Sequence, residues 1–356
     1  MRRVRPVHPA LLLAAIGALL PPATRAADDT PAVIALDAAG ATLVKDAAGA
    51  ITEVRFAKTA PPAALAVLPS LPGLRSVVLA GSDADDAAVA AVAKAPALRN
   101  LDLRDCKVTN AGLAPLAALK ELAALRLSGK SGACTVDDAG MEHVAKITSL
   151  RTLMLDFLWV SERGLATLAP LADLEELTLA QSLAGDEAMP VIARQFPKVR
   201  RLRVARTGVT GAGLAALPRL ESLRDLDVSE CSQLDDAALE PLGRLTGLVK
   251  LNLWRAPVGD AGIAHLAPLV NLEWLNVDNT RLSDEGLAAF AAMQRLGFLH
   301  AGSTAVSNAG VDRLAALGKL REVILTRTAV DAAGGAALQA KLPAAKVVLE
   351  AADAAP

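Results

Sequence analysis

Gly129, Lys130 and Ser131 are the residue types that end a phosphate-binding loop, in which glycine backbone groups surround phosphates and the lysine contacts them. Such a loop also needs a glycine five residues before Gly129 and a long helix after Ser131. Ala124 stands at that spacing. We therefore expect a surface loop at this tripeptide and no nucleotide site.

Three cysteines, Cys106, Cys134 and Cys231, are a second possible source of chemistry. No two of them have the spacing of metal ligands. Cysteine is among the most often buried side chains, so we expect three small buried residues in turns. A disulfide between Cys106 and Cys134 remains an alternative in an oxidising compartment.

The histidines beyond the first 26 residues, His143, His265 and His300, are far apart in the sequence. No pattern pairs a histidine with a nucleophile, a metal-binding partner or a second acid. We predict a protein that is not an enzyme, with no catalytic residue, no cofactor and no metal site.

A repeated pattern, L-x-x-L-x-L, organises the chain. It occurs in thirteen rows, from ITEVRF at Ile51 to AAKVVL at Ala344, at intervals of 23 to 28 residues that are most often 24. Alternation at the end of each pattern predicts a short strand, and stacked rows pair these strands in a parallel sheet. A leucine-rich stretch that follows predicts a short helix, N-capped in four rows by Thr109, Thr210, Ser283 and Ser307. A period of this length predicts a solenoid.

One row, LRNLDLRDCKVTNAGLAPLAAL at residues 98–119, resembles a leucine-rich repeat of the cysteine-containing type. Such repeats occur in the substrate-recognition halves of F-box proteins and in many exported bacterial proteins. The resemblance covers about residues 51–350 and implies an α/β, right-handed horseshoe with parallel strands on the concave face and short helices on the convex face. The cysteine position of this repeat type is kept at Cys106, Cys231 and approximately Cys134, and is threonine at 207, 280, 304 and 328.

The outward positions of the strands predict columns of side chains on the concave face. One column runs Arg201, Asp225, Lys250, Trp274, Phe298; the next runs Arg203, Asp227, Asn252, Asn276, His300; a third runs Ala205, Ser229, Trp254, Asp278, Gly302. Opposite charges in the first two columns predict cross-strand ion pairs. The chain is only 2% aromatic, yet Trp254, Trp274 and Phe298 fall together in variable positions.

Exposed aromatic clusters are enriched at binding sites. We therefore predict a protein partner that binds the concave face at seven residues: Lys250, Trp254, Trp274, Asn276, Asp278, Phe298 and His300. Two alternatives remain, a structural envelope protein without a specific ligand and a carbohydrate-binding protein. The third tryptophan, Trp159, is expected to pack locally with Phe157 in a turn outside this face.

The two ends of the chain break the period. Residues 1–26 have the basic, apolar and small-residue segments of a signal peptide, and the apolar run is too short to span a bilayer. We expect an exported protein, periplasmic or extracellular, without stable membrane insertion. Residues 27–50 predict an N-terminal cap of helix and hairpin strand, residues 51–350 the solenoid, and residues 351–356 a disordered tail.

The charges of the chain are balanced, with 37 basic and 38 acidic side chains. Nucleic-acid binding depends on an excess of positive charge that neutralises phosphates. The composition therefore gives no electrostatic reason to expect a nucleic-acid partner.

Overall fold

A computed structural model describes residues 30–350 of the chain. The predicted signal peptide and the predicted disordered tail lie outside these residues. Within the described range, no helix is both long enough and apolar enough to cross a bilayer.

Within residues 30–350, fourteen strands form one sheet in which spatial order follows chain order. The first pair is antiparallel, and each later strand pairs in parallel with the strand of the preceding row. The predicted α/β solenoid, with one short parallel strand in each of thirteen rows, is confirmed. The strands are β1 (Thr42–Lys45), β2 (Ile51–Arg55), β3 (Ser76–Val78), β4 (Asn100–Asp102), β5 (Ala124–Ser128), β6 (Thr152–Asp156), β7 (Glu176–Thr178), β8 (Arg201–Arg203), β9 (Asp225–Asp227), β10 (Lys250–Asn252), β11 (Trp274–Asn276), β12 (Phe298–His300), β13 (Glu322–Ile324) and β14 (Lys346–Val348).

The repeated leucines build one continuous core between the sheet and the helices. In the three-residue strands the central side chain points inward, and Leu226, Leu251 and Leu275 are fully buried. The residues on either side of each central position face away from the core. Each strand therefore presents two side chains on its outer face.

In the part of the chain that the structure describes, eighteen short helices lie on the opposite side of the rows from the sheet, and all but the first follow a strand. Ten are α-helices: α1 (Thr30–Ala38), α2 (Pro62–Leu65), α3 (Asp86–Val92), α4 (Met141–Val144), α5 (Glu162–Thr167), α6 (Ala188–Gln195), α7 (Gly211–Leu214), α8 (Asp260–Ala264), α9 (Val311–Ala315) and α10 (Ala332–Lys341). Eight more segments are 3₁₀ helices: Leu68–Ser70, Ala111–Ala118, Asp138–Gly140, Leu217–Arg219, Ala237–Leu239, Pro241–Arg244, Gly286–Ala292 and Asn308–Gly310. The leucine spacing did not distinguish these two kinds of helix. The tighter turn suits segments that are a few residues long or contain an internal proline, as Ala111–Ala118 does at Pro115.

The predicted helix N-caps are correct at Thr210 and Ser307, whose side chains accept backbone N–H groups. Ser283 also accepts a backbone N–H, from Glu285 at 3.2 Å. The prediction is wrong for Thr109, since Asn110 occupies the cap position there without a side-chain bond. Thr109 instead bonds to an aspartate of the preceding row.

Residues at the two ends of the sheet cover its first and last rows. At the first row, α1 buries Leu36, and β1 folds back on β2 as an antiparallel hairpin with a register shift at Lys45. At the last row, Lys346 of β14 pairs with Glu322 at 2.9 Å. The antiparallel strand β1 pairs with the backbone groups of β2 that would otherwise be exposed at the edge of the first row.

A left-handed residue follows the strand in most rows. Its φ lies between +50° and +61° at nine non-glycine positions: Asp105, Phe157, Gln181, Arg206, Glu230, Arg255, Asn279, Ser303 and Arg327. Gly81 has the same place in the row of β3, with a φ of +74°. This residue turns the chain away from the sheet. The residue before it is therefore mostly buried at the edge of the concave face instead of pointing to solvent.

Candidate functional site

The register of β10, β11 and β12 brings two of the predicted aromatic residues, Trp274 and Phe298, together. Lys250, Trp274 and Phe298 are successive register partners, and so are Asn252, Asn276 and His300. The first two predicted columns are therefore confirmed.

Trp274 and Phe298 form a stacked pair on the outer face of the sheet. Their ring centroids lie 5.2 Å apart and the ring planes differ by 3°. Both side chains are half-buried, while Leu275 and Leu299 beside them are fully buried in the core. Each ring thus leaves part of its surface open to solvent. The predicted contact between the two residues is confirmed.

Trp254 follows β10 by two residues, at the start of the turn. Its backbone N–H donates to Oδ1 of Asn252 at 3.1 Å, and the guanidinium of Arg255 lies 5.4 Å from its ring centroid. Arg255 also lies 3.4 Å from Glu230. The indole is half-buried, and the guanidinium of Arg255 covers part of its ring.

The third predicted column does not face solvent as expected. Ala205, Ser229 and Asp278 are at most 7% exposed, and Gly302 is buried. The left-handed turn folds this position under the edge of the sheet, and Trp254 is partly accessible because its ring is large. The sequence pattern missed this because nine of the turn residues are not glycine.

The remaining predicted contact residues differ in their freedom to bind. Lys250 is exposed and forms no ion pair within residues 30–350. Asn276 accepts the backbone N–H of Asp278 through Oδ1 at 2.9 Å, so its oxygen is already used in the turn. His300 is half-buried, and burial lowers the pKa of its imidazole even though Asp278 acts in the opposite direction.

Asp278 is the least satisfied polar side chain of the group. It is 7% exposed, and its Oδ1 has no hydrogen-bond partner within the described residues. The nearest basic atom, Nε2 of His300, lies 3.9 Å away, which is too far for a hydrogen bond. A buried polar atom without a partner costs free energy.

Ion pairs beside the aromatic cluster follow the predicted columns in part. Arg203 lies 3.1 Å from Asp227, and Arg201 lies 3.1 Å from Asp225, as expected. Arg201 also reaches Glu176 at 2.9 Å. The predicted continuation from Asp225 to Lys250 is absent from the described residues.

The cysteines are buried and free, as predicted for small residues in turns. The thiol of Cys106 donates to the carbonyl of Leu79 at 3.0 Å, and that of Cys231 donates to Val204 at 3.2 Å. Burial raises the pKa of the Cys106 thiol to about 11. Threonines in the same position, such as Thr280, donate to a carbonyl of their own row.

Trp159 does not pack locally, so that prediction is wrong. It is 75% exposed, because its position in the row lies outside the sheet.

Gly129–Ser131 does form the predicted surface loop, in which Lys130 Nζ lies 6.0 Å from the ring centroid of Phe157. Within the described residues, no group of three or more histidine, cysteine or acidic side chains could hold a metal ion.

A set of contacts between neighbouring rows was missed in the sequence. An aspartate at the start of one row's helix accepts both the backbone N–H and the hydroxyl of a threonine or serine in the next row; we call each such pair an inter-row latch. The pairs are Asp86–Thr109, Asp138–Ser161, Asp186–Thr210, Asp260–Ser283 and Asp284–Ser307. The signal was present, since in each pair the aspartate precedes the threonine or serine by 23 or 24 residues, which is about one row.

Each inter-row latch also explains a glycine. An added Cβ at Gly112 would overlap the carboxylate of Asp86, and equivalent glycines face the other four aspartates: Gly164, Gly213, Gly286 and Gly310. The absent side chain gives the carboxylate room to approach the next row.

Comparison with known proteins identifies the repeat. A model of the family described as Leucine Rich repeat matches residues 95–117. An internalin (inlF) from Listeria monocytogenes is 16% identical with a TM-score of 0.62, and the match covers 91% of this chain and 95% of that one. A chain of the yeast Rad7 and Elc1 complex is 17% identical with a TM-score of 0.60, covering 83% of this chain and 80% of that one. The chain therefore contains a leucine-rich repeat and has the solenoid fold of these proteins.

A curated relative adds a local match. This relative is described as the putative RNA-binding protein EEED8.10 of Caenorhabditis elegans. It is 25% identical over 152 residues, or 41% of this chain. The match spans 17% of the length of that protein.

Proposed function

We propose that this chain is an exported, non-enzymatic leucine-rich repeat protein that recognises a protein partner through its concave face. The observation that carries the proposal is the stacked pair of Trp274 and Phe298 on the outer face of the sheet, with the partly accessible Trp254 in the turn after β10. Leucine-rich repeat proteins are in general protein-interaction modules, and the Rad7 neighbour is itself described in a complex with a second protein.

The physical basis is burial of ring surface that is already held in place. Aromatic side chains dominate the binding free energy of many interfaces because a partner removes their large apolar area from water. Here the rings of Trp274 and Phe298 already pack on each other, and Arg255 already covers part of the ring of Trp254, before a partner binds. Little conformational entropy is lost when a partner binds to side chains that are already ordered.

The surrounding residues give the proposed interface its polar rim. Lys250 supplies an exposed cation, and His300 with Asp278 lies at the other end of the patch. Export is proposed from the signal-peptide pattern of residues 1–26.

Affinity capture tests the proposal. The chain without residues 1–26 is immobilised and exposed to an envelope extract, beside a Trp254→Ala/Trp274→Ala variant and a Trp159→Ala control. Trp159 is exposed but lies outside the concave face, so the control should capture the same protein as the wild type. We expect the double variant, with an unchanged circular dichroism spectrum, to lose it.

Other outcomes would favour the alternatives. Equal capture by all three proteins, or no captured protein at all, would contradict the aromatic interface and favour a structural envelope role. Retention of a glycan that the double variant no longer binds would favour the carbohydrate-binding alternative.

A further inference from the structure

A groove on the concave face ends beside the aromatic stack of Trp274 and Phe298. It has a volume of about 440 Å³ and is lined by residues of five successive rows, from Arg151 to Lys250; we call it the cationic groove. Five basic and three acidic side chains line it. Its walls therefore carry a net charge of +2, although the whole chain has a net charge of −1.

Three of the basic residues follow one another toward the aromatic stack. The backbone N–H of Arg224 donates to the carbonyl of Arg200 at 2.8 Å, and that of Lys250 donates to the carbonyl of Arg224 at 2.9 Å. They therefore lie in successive rows, about 4.8 Å apart. The register partner of Lys250 on the next strand is Trp274, so the line of cations leads directly to the stack.

These three side chains are free to bind an anion. Arg200 and Lys250 are exposed and form no ion pair within residues 30–350. Arg224 is also exposed, and in the same part of the chain its guanidinium donates to two backbone carbonyls, those of Glu221 and Leu223, at 2.9 Å and 2.8 Å. A guanidinium has five N–H donors, so Arg224 keeps donors for a carboxylate.

The acidic side chains of the groove do not neutralise this line of cations. Glu176 and Asp225 are both paired with Arg201, at 2.9 Å and 3.1 Å. Glu175 is exposed and lies one row before Arg200, on the side away from the aromatic stack. Positive charge is therefore concentrated between Arg200 and the stack.

We propose that the cationic groove binds an acidic segment of the protein partner, whose carboxylates contact Arg200, Arg224 and Lys250. An apolar residue of the same segment packs on the aromatic stack. This inference rests on the proposed function, because it assigns the charge of the partner at the same concave face. Arginine suits this role, since its guanidinium binds a carboxylate through two parallel hydrogen bonds.

The spacing of the cations sets the spacing of the carboxylates. Arg200 and Lys250 are two rows apart, which is about 9.6 Å at the usual separation of strands. In a polyproline II segment, residues i and i+3 lie on the same face about 9.3 Å apart. Phe298 lies two rows beyond Lys250. A segment with acidic residues at i and i+3 and an apolar residue at i+6 therefore matches the groove and the stack.

A protein segment fits this groove better than a nucleic acid. Duplex DNA carries about one negative charge per 1.7 Å of its axis. The groove places Glu175, Glu176 and Asp225 among its cations, and these carboxylates repel such a dense row of phosphates. An acidic peptide has uncharged residues between its carboxylates, and it also supplies an apolar side chain for the aromatic stack.

A pair of peptides tests the proposal without the natural partner. Tryptophan fluorescence of the wild type is followed at low salt during addition of acetyl-Glu-Pro-Ser-Glu-Pro-Ser-Phe-amide, and separately of the same peptide with glutamine at both glutamate positions. We expect about ten-fold tighter binding of the glutamate peptide, since each exposed ion pair adds a small factor to the affinity. Equal responses to the two peptides, including no response to either, would overturn the proposal.

Charge-neutralising variants locate the contact. Arg200→Gln/Arg224→Gln should reduce the preference for the glutamate peptide to about two-fold, because only Lys250 remains. Arg75→Gln/Arg321→Gln is the matched control, with the same change in net charge. Both control residues have the place of Arg224 in rows outside the groove, and each also donates to the carbonyl of its preceding residue. The control should keep the ten-fold preference, and an equal loss in both variants would overturn the proposal.

A nucleic-acid probe tests the other kind of anion. Oligothymidylate is titrated into the wild type and into Arg200→Gln/Arg224→Gln under the same conditions. We expect weaker binding than that of the glutamate peptide. Tighter binding that is lost in the variant would overturn the acidic peptide in favour of a nucleic acid.

Partner capture separates this proposal from the proposed function. A partner that is lost by Trp254→Ala/Trp274→Ala and retained by Arg200→Gln/Arg224→Gln would refute the acidic segment and leave the concave interface intact. Loss of the partner from both variants, with retention by Arg75→Gln/Arg321→Gln, would support both proposals. Capture that no variant reduces would refute the interface and the acidic segment together.

Discussion

Replacement of Gly112 by alanine should destabilise this protein, although the same change in most helices has the opposite effect. Gly112 is buried within the 3₁₀ helix Ala111–Ala118. An added Cβ would lie 2.5 Å from Cγ of Asp86 and would overlap its Oδ1. The carboxylate must therefore move away from Thr109, whose N–H and hydroxyl it accepts at 2.9 Å and 2.6 Å.

The size of the effect follows from the two bonds. Each hydrogen bond to a charged group contributes about 1.5–3 kcal/mol, and the lower value applies because Thr109 is exposed. Loss of both costs about 3 kcal/mol, from which the usual helical gain of alanine over glycine subtracts about 0.5–1 kcal/mol. We expect Gly112→Ala to lower the free energy of unfolding by about 2 kcal/mol.

A double-mutant cycle isolates this contact. In Asp86→Ala both bonds are already absent, and the nearest remaining atom of residue 86 is its Cβ, at 3.1 Å. Gly112→Ala should then be close to neutral, which gives a coupling energy of about 2 kcal/mol, within the range for residues in contact.

Urea unfolding followed by circular dichroism measures the four proteins of the cycle. Gly318→Ala serves as a matched control, because nothing lies within 4 Å of a Cβ at Gly318. Urea midpoints are compared only between proteins whose free energy of unfolding falls with urea concentration at the same slope. This condition is needed because long repeat arrays do not always unfold in one step. If Gly112→Ala were stabilising, or equally destabilising with and without Asp86, the steric account of the inter-row latch would be refuted.

Other parts of the structure give further expectations. Because burial raises the pKa of Cys106 to about 11, a thiol reagent at mildly alkaline pH should label it in denaturant and leave it unlabelled in the native protein; rapid native labelling would contradict its burial. Asp156→Asn should lower the free energy of unfolding by about 1–3 kcal/mol, since it weakens the bond from Arg203, whereas Asp278→Asn should be neutral or stabilising; paired urea titrations compare the two. Phe290→Ala should cost about 3–5 kcal/mol, because Phe290 is 1% exposed in the core; a smaller loss would indicate that the core collapses around the cavity.

The parts of the fold that depend on side-chain alternation were predictable. The inward leucines and valines determine which strand positions face outward, so the register of Lys250, Trp274 and Phe298 followed from the row period alone. Burial of Cys106 and Cys231 followed from their shared place in the row.

Features that depend on backbone conformation were not predictable in the same way. The left-handed residue is arginine, serine or glutamate at five of the nine non-glycine positions and aspartate or asparagine at only two, so Arg255 and Ser303 gave no signal of a turn. Asp278 was therefore assigned to solvent although the turn buries it. The inter-row latches were missed because each residue was considered within its own row, whereas Asp86 and Thr109 belong to neighbouring rows.

The ladder of rows also determines how this molecule would respond to a pulling force. Within the described residues, the first and last strands, β1 and β14, lie at opposite ends of the sheet, and each strand between them bonds to the strands before and after it. Tension between the ends therefore acts on the outermost row first and peels it from its neighbour, instead of shearing many strands together. Each released row of 24 residues would extend the chain by roughly 80 Å at about 3.4 Å per residue. The solenoid would lengthen in regular steps under low force, and a bound partner that spans β10 to β12 would interrupt that series.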